Sequence, residues 1–66
     1  MHVGDKVFYL DDGVPLRGYV TRVVSDGVAD LAVHDDAGQL LFGVVEAPLA
    51  KTAADRKTDG FWFPRT

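Results

Sequence analysis

Few residues of this chain carry reactive chemistry. Its 66 residues hold ten acidic, seven basic and two histidine side chains, and no cysteine. His34-Asp35-Asp36 is the one place where an imidazole stands beside carboxylates. A metal centre needs donors that converge in a defined geometry, and three successive residues ahead of Gly38 do not supply it. Aspartates that fold back on their own backbone explain the run better. His2 stands at the chain end, where order is lowest. Ser25 is the single serine and has no recognisable base beside it. No nucleophile elbow, phosphate-binding loop or pair of carboxylates in an apolar setting is present. The reading is therefore non-enzymatic, with no catalytic residue, no metal and no cofactor assigned.

The aromatic side chains offer binding rather than reaction. There are four Phe, two Tyr and one Trp, more than one small core obviously needs. In Phe61-Trp62-Phe63 the two Phe share one face of an extended chain and Trp62 takes the other. One of those faces must point away from the core unless residues 46–60 fold over it. With Arg65 close by, an outward aromatic cluster suits a protein interface, where Trp, Tyr and Arg act as anchors. A second grouping, Tyr9, Tyr19, Arg17 and Arg22, could offer stacking and charge to single-stranded nucleic acid.

Charge weighs against the nucleic-acid option. Residues 1–50 hold three basic and eight acidic side chains, whereas residues 51–66 hold four basic and two acidic. Proteins that draw their affinity from phosphates present a basic surface. This body is acidic, with a mildly basic tail.

The elements that position these residues read as strands. Lys6 to Leu10 is β-branched and aromatic and ends at Asp11-Asp12-Gly13. If that strand is regular, Phe8 is core and Tyr9 faces the opposite way. The connection to the next strand is read as long, because Pro15 forbids a central ladder position. Gly18 to Val24 is the second strand. Asp26-Gly27 turns it into a third, Val28 to His34, with Ala29, Leu31 and Val33 on the inner face and Asp30, Ala32 and His34 on the outer. Asp35 to Gly38 is a turn, Gln39 to Val45 a fourth strand and Phe61 to Phe63 a fifth. Residues 46–60 form either a brief helix begun by Pro48 or a loop. Several short strands joined by tight turns indicate one all-β domain, a small five-stranded antiparallel barrel over residues 1–66.

Within that barrel, Leu40-Leu41-Phe42-Gly43-Val44-Val45 is apolar on both faces, where a strand half in solvent should alternate. Burial on both sides implies a cover, either residues 46–60 or another chain. Phe42, Val44, Phe61, Trp62, Phe63 and Arg65 are accordingly the expected partner-binding residues. So small a domain buries only about 60% of the surface its unfolded chain exposes. Without disulfides, a partner or self-association is a reasonable source of stability.

Gly4-Asp5-Lys6-Val7, then Gly18-Tyr19-Val20-Thr21-Arg22-Val23, then Leu31-Ala32-Val33 and Gly38, resembles the pattern of small SH3-like barrels of the KOW and Tudor type. The resemblance covers residues 3–45 and implies the fold more than any function, because such barrels serve many roles. It implies that Gly4 eases the start of the first strand and that Gly18 marks a bend or bulge where the barrel closes. The aromatic end Trp62-Phe63-Pro64 is similar to that of very short phage-encoded barrels. That likeness implies a virion component or a small binder of a host protein, and a KOW- or Tudor-like nucleic-acid or adaptor module is the alternative.

The remaining composition bounds the class. At 47% hydrophobic residues the chain is too apolar to remain disordered. Its longest apolar run falls far short of the ~20 residues of a membrane helix. No basic and apolar leader is visible at the start. The expected setting is the host cytoplasm or an assembled virion, with no membrane association.

Overall fold

The computed structural model describes residues 1–65. It is all-β, with strands β1 (Lys6–Asp11), β2 (Val14–Ser25), β3 (Val28–His34), β4 (Leu40–Pro48) and β5 (Trp62–Pro64). A single 3-10 turn, Asp55–Lys57, precedes the last strand. The five strands form one sheet in the order β4-β3-β2-β1-β5, each neighbour antiparallel. A bridge between Leu49 and Trp62 joins the two ends of that order and closes the sheet on itself. The Ala50 N–H donates to the Trp62 carbonyl at 2.7 Å across the same seam.

The turns follow from residues that tolerate a left-handed backbone. Asp12 (φ 52°) and Gly13 (φ 78°) both adopt positive φ between the paired residues Asp11 and Val14. Two positive φ values in a two-residue loop are what the right-handed twist of a hairpin prefers. This corrects the expected long connection between the first two strands. Pro15 is tolerated inside β2 because the β2–β3 pairing begins only at Gly18. Pro15 thus pairs with Leu10 of β1 alone and occupies an edge position in effect.

Gly18 plays a different part from the expected bend. The register shifts of β2 fall after Val20 and after Val23, not at Gly18. A Cβ on Gly18 would lie 2.6 Å from the carbonyl oxygen of Ala32. Glycine is required there so that β2 and β3 can approach closely. Gly4, by contrast, has the positive φ (91°) that eases the start of β1, and its N–H donates to the Val20 carbonyl at 2.7 Å.

The core consists of Val7, Val20, Ala29, Leu31, Ala47 and Trp62, with Tyr9, Val44 and Leu49 packed against it. The inner face of β3 is Ala29, Leu31 and Val33, as its alternation indicates, but Ala32 on the expected outer face is buried too. In β1 the parity is the reverse of that expected. Val7 is fully buried, so Tyr9 shares its inward face and Phe8 points outward, half-buried. The smaller Val7 takes the centre, and on the other face Leu10 is buried as well, where Gly60 and Phe61 hydrogen-bond to it.

Residues 49–61 are neither a regular helix nor a cover for β4. Pro48 ends β4 rather than opening a helix. The chain then crosses from the β2–β3 hairpin, where the Leu49 N–H donates to Gly27, to β1, where the Gly60 N–H donates to Leu10. The Asp55 carboxylate accepts the N–H groups of Lys51 and Thr52, which tightens the segment into its short turn. No helix among the described residues is long and apolar enough to cross a membrane.

Candidate functional site: the open edge of strand β4

The fourth strand has an extra residue at Leu41, between the pairs Val33–Phe42 and His34–Leu40, and is positioned further along by two distortions with a common centre, Asp30. On one side Val20 and Arg22 of β2 pair with Leu31 and Asp30, which leaves Thr21 as an extra residue. On the other side Leu31 and Ala29 pair with Val44 and Ala47, which leaves Val45 and Glu46 opposite Asp30. The Asp30 carboxylate ties both together. One oxygen accepts the Arg22 Nε–H at 2.8 Å, and the other accepts the Glu46 N–H at 2.8 Å. Those two donors, the backbone N–H first, hold the Asp30 carboxyl below the usual carboxylate range, since both favour the charged form.

The bulge at Glu46 decides which side chains face inward. Glu46 adopts a positive φ of 53°. In a regular strand Val44 and Glu46 would share the inner face, and a charge would enter the core. The extra residue resets the parity, so Val44 packs on the core and the next inward residue is Ala47. Val45, next to the inward Val44, faces outward.

The result is an apolar strand with little to cover it. Leu40 is 64% exposed, Leu41 51% and Val45 71%. Phe42, paired with Val33 on the inner side, reaches the mouth of the barrel, where its ring meets Tyr9 edge-on at 6.1 Å between centroids. Only β3 pairs with Leu40–Glu46 among the described residues, so the other edge of this stretch is open. Natural sheets usually guard such an edge with Lys, Pro or an inward charge, and Leu40 to Val45 holds none of these.

The other expected partner-binding residues divide. Trp62 is core, not surface: it is 3% exposed, and its indole N–H donates to the Ala47 carbonyl at 2.9 Å. Its inward position follows from pairing opposite Tyr9, which faces the same way. Val44 is half-buried against the core. Phe63 takes the opposite face from Trp62 and lies 5.6 Å from Phe8, with the Arg56 guanidinium 4.8 Å over its ring. The Arg65 guanidinium stands 5.7 Å over Phe8. Phe61 and Phe63 are half-buried. These form a cation-covered aromatic patch outside β1 and β5, separate from Leu40, Leu41 and Val45. The patch carries its own cations, so its ring faces are already occupied.

Of the residues of the nucleic-acid alternative, Arg17, Tyr19 and Arg22 lie on the outer face of β2, opposite Phe8, Ala32 and Asp30, and Tyr9 alone faces the other way. Tyr9 packs inward, and burial, then the charges of Asp11 and Asp59, push its phenol up from the ordinary value. Arg22 is engaged by Asp30, and Arg17 lies 3.7 Å from Asp36. Tyr19 stands beside His34, ring centroids 6.1 Å apart.

The aspartates act as backbone anchors. Asp35 Oδ1 accepts the N–H groups of Ala37 and Gln39, both at 2.9 Å, and closes the β3–β4 turn. The His34 Nδ1–H donates to the Asp35 carbonyl at 2.8 Å. Asp59 accepts the Gly13 N–H at 2.7 Å and Asp5 the His2 N–H at 2.8 Å. The Asp30 anchor and the bulges it holds were not foreseen from the sequence. The available signal was a lone carboxylate in the middle of the apolar run Val28 to Val33. Compared with protein-family models, curated proteins and solved structures, the chain matches none.

Proposed function

We propose that this protein is a non-enzymatic binding module that docks a protein partner along the open edge and exposed side chains of β4. The single observation that carries the reading is the exposure of Leu40, Leu41 and Val45 on a strand with an unpaired edge. Exposed apolar clusters on small domains mark interaction sites, and an unpaired edge supplies main-chain hydrogen bonds to an added strand. The likeness of its aromatic end to short phage barrels supports a finer version, an accessory protein that assembles into a virion or caps a host protein. The nucleic-acid module has less support: Arg17, Tyr19 and Arg22 share the outer face of β2, but Tyr9 faces inward and both arginines stand beside aspartates.

The test is a charge placed on the exposed strand. Val45→Lys replaces a side chain already in solvent, so its effect on folding stays within about 0.5 kcal/mol. In extract of the cells that carry the protein, the native chain should elute as a complex larger than its own 7.2 kDa. Val45→Lys should elute as the free chain. Identical elution of the two would contradict the reading.

A further inference from the structure

We infer that the outer face of β1 around Phe8 is a second docking surface, which takes an acidic segment of a protein partner. It lies apart from Leu40, Leu41 and Val45 and does not rest on the β4 edge being bound.

Three strands bring three cations to one aromatic ring. Lys6 and Phe8 share the outer face of β1, because residues two apart in a strand point the same way. Phe8 pairs with Arg17 of β2 on one side and with Phe63 of β5 on the other. Continuing the second register past Pro64 sets Arg65 opposite Lys6, and the Arg65 N–H donates to the Lys6 carbonyl at 3.0 Å. The Arg65 guanidinium stands over Phe8 at 5.7 Å. Like charges directly opposite across two strands destabilise a sheet. A fold that keeps such a pair at the expense of its own stability marks a place with another use.

These cations are not answered from within the molecule. Among the described residues no carboxylate forms an ion pair with Lys6 or Arg65, and Arg65 Nε is buried without a hydrogen-bond partner. The adjacent Asp5 carboxylate is turned to the His2 N–H. Arg17 has Asp36 at 3.7 Å, but that side chain is 94% exposed. So exposed a pair is worth little and yields to a competing carboxylate. A guanidinium stacked on a ring keeps its N–H edge for a planar, bidentate acceptor, which a carboxylate supplies.

An acidic polypeptide fits this face better than a nucleic acid does. Phe8 is covered by the Arg65 guanidinium, so a base finds no open ring to stack on there. Beyond Lys6, Arg17 and Arg65, the chain holds four basic side chains against ten acidic ones. A polyanion that tracks past the patch meets that charge and is repelled, whereas a short acidic segment ends within it.

The probe is a short synthetic peptide of alternating glutamate and alanine, titrated into the isotope-labelled full chain and followed by amide chemical shifts. Shifts should centre on Lys6, Phe8, Arg17 and Arg65, and the same peptide with glutamine for glutamate should cause none. Arg65→Gln should weaken binding about fivefold. Lys51→Gln, at a cation beside the β2–β3 hairpin, should change it by less than about twofold. Added salt should weaken binding steadily. The map on the native chain needs no variant, so the inference stays open to refutation even if Arg65→Gln fails to fold. No shifts, shifts centred elsewhere, or equal shifts from the glutamine peptide would overturn it. A single-stranded oligothymidine of the same length that binds this face more tightly than the peptide would also overturn it, by making the face one for nucleic acid.

Discussion

Asp30 shows how much one side chain can organise. Its two oxygens hold Arg22 of β2 and the Glu46 N–H of β4, and the bulge beside them keeps Glu46 out of the core and brings Ala47 in. Its carboxyl is held low in the folded state, so its contribution is present above the unfolded value near 3.9 and is lost as the pH falls below it. Asp30→Asn keeps one acceptor for Glu46 but gives up the charge. The native chain should be the more stable of the two at pH 7, and thermal melts should converge only as the pH falls through the lowered folded-state value, below the ordinary carboxylate range. Trp62 is the other decisive residue. Trp62→Ala should cost about 3–5 kcal/mol. A domain of this size holds only roughly 3–10 kcal/mol in total, so urea denaturation should find the variant largely or wholly unfolded. The sequence narrowed the outward choice to Trp62 or its two Phe neighbours. It could not choose, because alternation has no sign until one strand is paired.

At the scale of elements, glycine separates close approach from open space. Gly18→Ala drives a Cβ into the Ala32 carbonyl and should destabilise by about 1–3 kcal/mol. Gly43→Ala meets only ordinary contact and should be neutral or slightly stabilising. Denaturant midpoints of the two variants check the contrast. The five strands and the β2–β3 and β3–β4 turns were legible because Asp and Gly punctuate Val-rich runs. The extent of β2 was not, because Pro15 reads as a strand breaker until β3 is known to stop short of it. The inward parity of β1 was hidden for a similar reason: Val7 and Phe8 are both apolar, and the register alone decides between them. The candidate edge was visible as a strand apolar on both faces. What could not be read was that residues 49–61 cross the barrel elsewhere and leave it uncovered.

For the whole molecule, a small core and an uncovered apolar strand belong together. The barrel interior is filled by a few aliphatic residues around Trp62, and the remaining apolar side chains of β4 are left outside. An uncharged open edge on a monomer invites pairing, which a chain this small can use for stability as well as for assembly. The central claim is that this edge is where the protein is bound. Site-specific photo-crosslinking tests it most directly, with a photoreactive side chain placed at Val45 or, in a separate sample, at Lys57 in the 3-10 turn. In the cells that carry the protein, position 45 should give a discrete protein adduct, at twice the chain mass or with a distinct partner, and position 57 should give none. Adducts from position 57 alone, or none from position 45, would contradict the account.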